Sequence, residues 1–160
     1  MRKTIAELMS VDFVTVTARM SQHEALVLLI DSDATELCVV DADNRFVGIV
    51  TDFDLLKSHL NLNGQLACQT VGSIISRAVV VVSADALIEQ AIPLFRDGSC
   101  SRAYVCRNGR LLGRLSRSNV LSHLSGRERL VETPSAIRPV RTALSTGQSA
   151  TLDKIGRAHV

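Results

Sequence analysis

Gly48-Ile49-Val50-Thr51-Asp52-Phe53-Asp54 and Gly113-Arg114-Leu115-Ser116-Arg117-Ser118-Asn119 are one pattern occurring twice, 65 residues apart. In each, a glycine leads a short strand-like run, a hydroxyl residue closes it, and a carboxylate or carboxamide follows three residues later. A Ser or Thr at the end of a strand is a natural helix N-cap, worth about 1 kcal/mol. Thr51 and Ser116 therefore open helices, and Asp54 in the first turn suits the helix dipole. Capping does not exhaust the chemistry. Backbone N–H groups and a hydroxyl at a helix start also receive polar ligands. A carboxylate there can accept hydrogen bonds from both hydroxyls of a ribose.

Working outward, the duplication extends through most of the chain. Ile5-Ala6-Glu7-Leu8-Met9-Ser10 answers to Val71-Gly72-Ser73-Ile74-Ile75-Ser76, and Phe13–Ala18 to Val79–Ala84. Ala25 answers to Ala91 and Asp31 to Asp97, all at an offset of 66. The offset then falls to 65, because Asp43-Asn44 in one turn stands against Gly109 in the other. Fixed-period self-similarity marks a repeat architecture.

Each half predicts the same order, β-α-β-β-α, an α/β (α+β) fold. Strands are expected at about 13–17 and 79–83, 37–40 and 103–106, and 46–50 and 111–115. The first helix, about 21–31, has an S-x-x-E capping box at Ser21 and Glu24, with Met20 placed for a hydrophobic staple. Its counterpart, about 86–97, contains Pro93, which kinks it or shortens its regular part. Closing helices are expected at about 52–60 and 117–124. Residues 61–69 link the halves, and the domain boundaries expected are 1–65 for the first repeat with linker, 66–125 for the second repeat, and 126–160 for a tail.

The 160 residues are 46% hydrophobic but only 3% aromatic, with no Trp, so the core must be built of Val, Leu, Ile and Ala. No apolar run approaches the roughly 20 residues that span a bilayer, which argues against a membrane segment. The opening Met1-Arg2-Lys3-Thr4 leads into no long apolar stretch, unlike a secretory signal. Cys38, Cys68, Cys100 and Cys106 lack metal-type spacing and read as reduced thiols of a cytoplasmic protein. The four His (23, 59, 123, 159) are equally scattered, so no metal is expected. A net charge of +2 and a single Tyr do not support nucleic-acid binding. No Walker A loop, G-x-G-x-x-G, G-x-S-x-G or H-E-x-x-H occurs. Ser99-Cys100-Ser101 has no base placed beside it by sequence, and an enzyme is the weakest class.

Charge separates the halves: residues 1–65 hold 5 Lys/Arg against 10 Asp/Glu (−5), and residues 66–125 hold 7 against 3 (+4). Drift between solvated faces explains this as well as an anion site on the second half, or charge-complementary association. Residues 126–160, rich in Ser, Thr, Arg and Gly, predict a disordered tail. Its end, residues 154–160, resembles the translation of a sequencing-library adapter and is set aside. On that basis the natural C-terminus lies elsewhere, with room for a further domain.

The doubled glycine–hydroxyl–carboxylate pattern on a β-α-β-β-α repeat resembles the CBS domain family, and two such repeats in tandem resemble a Bateman module. The likeness covers residues 4–125. It implies two repeats packed with pseudo-twofold symmetry. It also implies clefts between them that, in many members, take AMP, ADP, ATP or S-adenosylmethionine. Such a module senses and does not catalyse, and no cofactor is implied beyond a regulatory adenine nucleotide.

Carried over residue by residue, Thr51 and Asp54 match the hydroxyl and the ribose-binding carboxylate. Ile49 matches a wall of the base pocket, and Phe13, Val14 and Thr15 match the strand bordering the base. Ala34 and Thr35 match the approach to the second strand. Glu36 and Phe53 depart from the family's pattern, standing where basic phosphate contacts are common. In the second half Ser101 and Arg102 match the phosphate approach, Ser116 keeps the hydroxyl, and Arg117 is read either as a phosphate contact or as a solvated surface cation, the surface role being the simpler reading for each Arg alone. Asn119 replaces the carboxylate and loses charge-assisted bonds, and Arg114 replaces an apolar residue. One better site on Thr51 and Asp54, with any phosphate met by arginines of the second half, and one degraded site, is the expectation. The resemblance further implies a homodimer and an effector domain or protein partner. The alternative is a structural or dimerisation module with empty clefts.

Overall fold

The structure, a computed structural model, describes residues 2–126 and 141–142. Its leading elements are α1 (Ile5–Leu8), β1 (Val14–Val16), α2 (Gln22–Asp31), β2 (Glu36–Val40), β3 (Phe46–Thr51) and α3 (Asp52–Asn61). Two 3-10 turns, Leu66–Cys68 and Val71–Ile74, follow. Then come β4 (Val80–Ser83), α4 (Ile88–Ala91), a 3-10 turn (Ile92–Phe95), β5 (Arg102–Arg107), β6 (Arg110–Ser116), α5 (Arg117–Leu124) and β7 (Arg141–Thr142). The predicted β-α-β-β-α order is present twice. Ahead of each copy lies a short helical turn, α1 or Val71–Ile74, which the repeat contains but the strand-first prediction left out.

The described residues form two compact units: 13–78 with 141–142, and 2–12 with 79–126. In the first, the sheet order is β3-β2-β1-β7, with β1 parallel to β2 and to β7, and β2 antiparallel to β3. Parallel strands need a crossover, and α2 supplies it. Val14, Val16, Met20, Leu28, Leu37, Val39, Val50 and Leu55 make the core. The cap of α2 is one-sided: the Ser21 hydroxyl accepts from the Glu24 N–H at 3.1 Å, while the adjoining backbone pairs with residues 69–71. Met20 and Ala25, the two staple positions, both lie in that core.

The second unit carries the sheet β4-β5-β6 over a core that includes Ile5, Ile88, Val105, Leu115 and Val120. Pro93 acts as expected: the α-helix stops at Ala91 and continues only as a 3-10 turn, because proline removes an N–H and crowds the preceding turn. Asn108 and Gly109, with φ of 53° and 80°, form the tight β5–β6 turn, a left-handed pair that suits Asn-Gly. The β2–β3 turn is closed differently, by the Asp41 carboxylate accepting from the Asp43 and Arg45 N–H groups at 2.9 Å each. This is the turn where the repeat offset changes by one.

Each unit is completed by the segment that precedes the other repeat in sequence. In the second unit Ser10 and Arg114 exchange backbone hydrogen bonds of 2.8 Å, and the Ile5 N–H donates to Ala86 O at 2.8 Å. In the first, Ile49 and Ser76 exchange bonds of 2.9 and 2.8 Å. Burial of Ile5 alone contributes about 2 kcal/mol to holding α1 in place. A polar network fastens the segment in the first unit. The buried Gln22 side chain donates to Thr70 O and Ser73 Oγ, each at 3.0 Å, and accepts from the Ser58 hydroxyl.

The expectation of a disordered tail over 126–160 lies outside the described residues, apart from Gly126 and β7. At Arg141–Thr142 the backbone is a strand, because β1 offers an edge with unused N–H and C=O groups. Of the cysteines, Cys68 is exposed, Cys100 half-buried, and Cys38 and Cys106 buried. Burial pushes the Cys106 thiol up, which keeps it protonated and unreactive. Under native conditions a thiol reagent is therefore expected to modify Cys68 first. Cys38 and Cys106 should react only on unfolding, as mass-resolved alkylation would show.

Candidate functional site

The two pattern copies form the same local structure. At α3, the Thr51 hydroxyl accepts from the Asp54 N–H at 3.1 Å, and Asp54 Oδ2 accepts from the Thr51 N–H at 2.9 Å. At α5, the Ser116 hydroxyl accepts from the Asn119 N–H at 3.2 Å. Asn119 Oδ1 accepts from both the Ser116 N–H, at 2.8 Å, and its hydroxyl, at 2.9 Å. Both are capping boxes. They differ in what they leave over. Asp54 keeps Oδ1, a charged acceptor, without a hydrogen bond among the described residues. Asn119 has its only side-chain oxygen engaged twice and leaves an amide donor. Only the first copy therefore offers a charged acceptor to a hydroxyl donor such as a sugar; the second offers an amide donor in its place.

The glycines of the pattern are required by close approach. A Cβ on Gly48 would stand 2.4 Å from Ser76 O, and one on Gly113 would stand 2.7 Å from Ser10 O. These are the carbonyls that pair with β3 and β6.

Of the remaining first-half residues, Thr35 and Glu36 are brought to the same end of the sheet. The Asp52 N–H donates to Thr35 O at 2.9 Å, and Glu36 faces Thr51 across the β2–β3 pair. Ala34 is half-buried beside them and Thr35 is exposed. Glu36 is buried. Phe13, Val14 and Thr15 are buried, and β7 pairs with β1 at Val14 and Thr15. Ile49 is half-buried, its backbone committed to Ser76.

In the second unit Arg102 faces Ser116 across β5–β6, and Ser101 is exposed. Arg117 folds back on its own loop: its guanidinium donates to Gly98 O at 2.7 Å and to Cys100 O at 2.9 and 3.2 Å. Arg114 donates to Asp12 O at 2.5 Å. Cys100 sits in the turn closed by Asp97, its thiol directed at Arg102 O. Hydrogen bonds from Ser99 hold the Asp97 carboxyl below the usual range, and the Arg107 guanidinium does the same for Asp85, which it meets at 2.8 Å.

Sequence reasoning did not find the cavity of the first unit, about 310 Å³. One wall is α3, through Asp54, Lys57, Ser58 and Asn61; the other is residues 73–76. The four α3 residues stand at i, i+3, i+4 and i+7, a polar stripe along one helix face. That spacing was the available signal. Of the candidate site residues read from the sequence, only Asp54 borders the cavity. Among the described residues no cluster suited to a metal ion occurs, and no helix is long and apolar enough to cross a membrane.

A family model for the CBS domain matches residues 5–61 and 71–126. The chain belongs to the CBS domain family. This CBS chain also resembles inosine-5'-monophosphate dehydrogenase of Rhizobium tropici, 48% identical over 58 residues. That match takes in 36% of the chain but only 12% of the dehydrogenase, so the chain spans a small part of that relative. Among solved structures, CBSX2 in complex with AMP is 28% identical, with a TM-score of 0.63 over 77% of this chain and 96% of that one. The CBS domain pair of MJ0100, in complex with 5'-methylthioadenosine and S-adenosyl-L-methionine, is 22% identical, with a TM-score of 0.62 over 80% and 100%. A CBS domain-containing protein from Bacillus anthracis reaches a TM-score of 0.69 at 18% identity, over 79% and 95%. The last two establish the fold alone.

Proposed function

We propose that this CBS chain is a non-catalytic regulatory module that senses an adenosine-containing ligand, of the class AMP, ADP, ATP or S-adenosylmethionine. The observation that carries it is the Asp54 carboxylate. One oxygen is fixed by the helix cap, the other accepts no hydrogen bond among the described residues, and the residue borders a cavity, which supports a carboxylate available to a ribose diol. The AMP complex of CBSX2 supports the ligand class. Ligand binding would bias the pose of the segment that packs on the site and so alter a downstream partner or effector domain. The working state is a cytoplasmic homodimer. The exposed apolar stripe Phe53, Leu56 and Leu60 on α3 supports association, which solution mass measurement tests.

A second reading has its own support. The Asn119 side-chain oxygen is spent on the helix cap and the Arg117 guanidinium is turned back onto Gly98 O and Cys100 O, which favours a second unit serving association and not ligand binding. The discriminating experiment is thermal unfolding against AMP, ADP, ATP, S-adenosylmethionine and a GTP control. At about 100 times the dissociation constant a ligand adds roughly 2.7 kcal/mol, a rise of several degrees. A folded chain that shifts with none of them is an association module.

A further inference from the structure

We infer that Lys57 is the residue of this chain that reads the charged end of the ligand, by meeting a phosphate on the ribose held at Asp54. This rests on the ligand reading above and deepens it. The family-matched positions leave the first unit without a phosphate contact: Glu36 is a buried carboxylate and Phe53 is apolar. The cavity answers that deficit. It adjoins Asp54, and Lys57 is the one cation in its lining. Asp54 and Lys57 are three residues apart on α3 and so lie on the same helix face, one turn from each other. That is a reach compatible with a sugar hydroxyl at one and a sugar phosphate at the other.

The other groups of the lining fit a hydroxylated guest. Ser58 and Ser73 are tied into the Gln22 network. Asn61 and Ser76 bring a carboxamide and a hydroxyl with no side-chain hydrogen bonds among the described residues, and Lys57 makes no ion pair there. Ile74 and Ile75 add apolar surface. At about 310 Å³ the cavity is at the lower end of the roughly 300–1,000 Å³ of small-molecule pockets. It suits part of a nucleotide, with the base left outside. A compact ammonium on a flexible stem is suited to phosphate as a point charge.

The test is calorimetric titration of AMP and adenosine into the full chain, as wild type, Lys57→Met and Lys57→Arg. Wild type is expected to prefer AMP over adenosine by about tenfold, one charge-assisted contact. Lys57→Met should abolish that preference while leaving adenosine affinity within about twofold, and Lys57→Arg should keep most of it. Equal affinity of wild type for AMP and adenosine overturns the assignment and leaves the ligand reading standing. So does an equal loss of both ligands in Lys57→Met. Failure of wild type to bind either one removes the ligand reading, and the inference with it.

Discussion

Gly48→Ala is expected to destabilise the first unit by about 3 kcal/mol, the upper end of the usual overpacking range. The added methyl would lie 2.4 Å from Ser76 O and 2.6 Å from Ile75 Cγ2. The contact with Ser76 O is not relieved by a rotamer change, because it is a backbone atom and the acceptor of the Ile49 N–H bond at 2.9 Å. To make room, residues 75–76 must move off β3, breaking that bond and its 2.8 Å return and opening the wall of the cavity. Gly113→Ala is expected to cost less, about 2 kcal/mol. Its nearest neighbour, at 2.5 Å, is Met9 Sδ, the flexible end of a side chain, and the backbone oxygen of Ser10 stands at 2.7 Å. Urea unfolding of both variants measures the difference. Losses below about 0.5 kcal/mol in both would show that the leading segments do not press on β3 and β6 as described.

Asp54→Asn is expected to fold normally and to lose about 10- to 100-fold in affinity for an adenine nucleotide, the worth of hydrogen bonds to a charged group. The protein itself supplies the control. At α5 an asparagine at the matching position completes the capping box, so the amide preserves the cap at α3 while removing the charged acceptor. Asp54→Ala removes both, and is expected to add a stability loss of about 1 kcal/mol to the binding defect. Comparing the two variants separates the structural role of this carboxylate from its ligand role. An affinity unchanged in Asp54→Asn would assign Asp54 to capping alone.

How much of this was legible in the sequence follows from the range of each interaction. The strands, the helices, the Pro93 break and the Asn108-Gly109 turn depend on neighbours a few residues apart, and the sequence displays them. The caps at Thr51 and Ser116 were legible for the same reason. The glycines could be seen as part of a pattern, but their cause could not. It lies in carbonyls of Ser76 and Ser10, 28 and 103 residues away in the chain. That residues 2–12 pack on the second repeat and 70–78 on the first was also hidden, because these two segments are themselves copies of each other in apolar pattern. Arg117 and Arg102 look alike as surface cations in a sequence. Only the fold shows that Arg117 is turned back onto Gly98 and Cys100. Lys57 went unnoticed because its stripe on α3 acquires meaning only when residues 73–76 are placed opposite.

The central claim is that the free oxygen of Asp54 receives a ribose diol. Its most direct measurement is calorimetric titration of AMP and its 2′,3′-dideoxy analogue into the full wild-type chain and the Asp54→Asn variant. Saturable AMP binding to wild type is expected, weakened by about tenfold or more when either the hydroxyls or the carboxylate is removed. Removing both should cost little beyond removing one, since the two changes delete the same interaction. Dideoxy-AMP binding as tightly as AMP, or no binding of AMP to the folded chain, would contradict it.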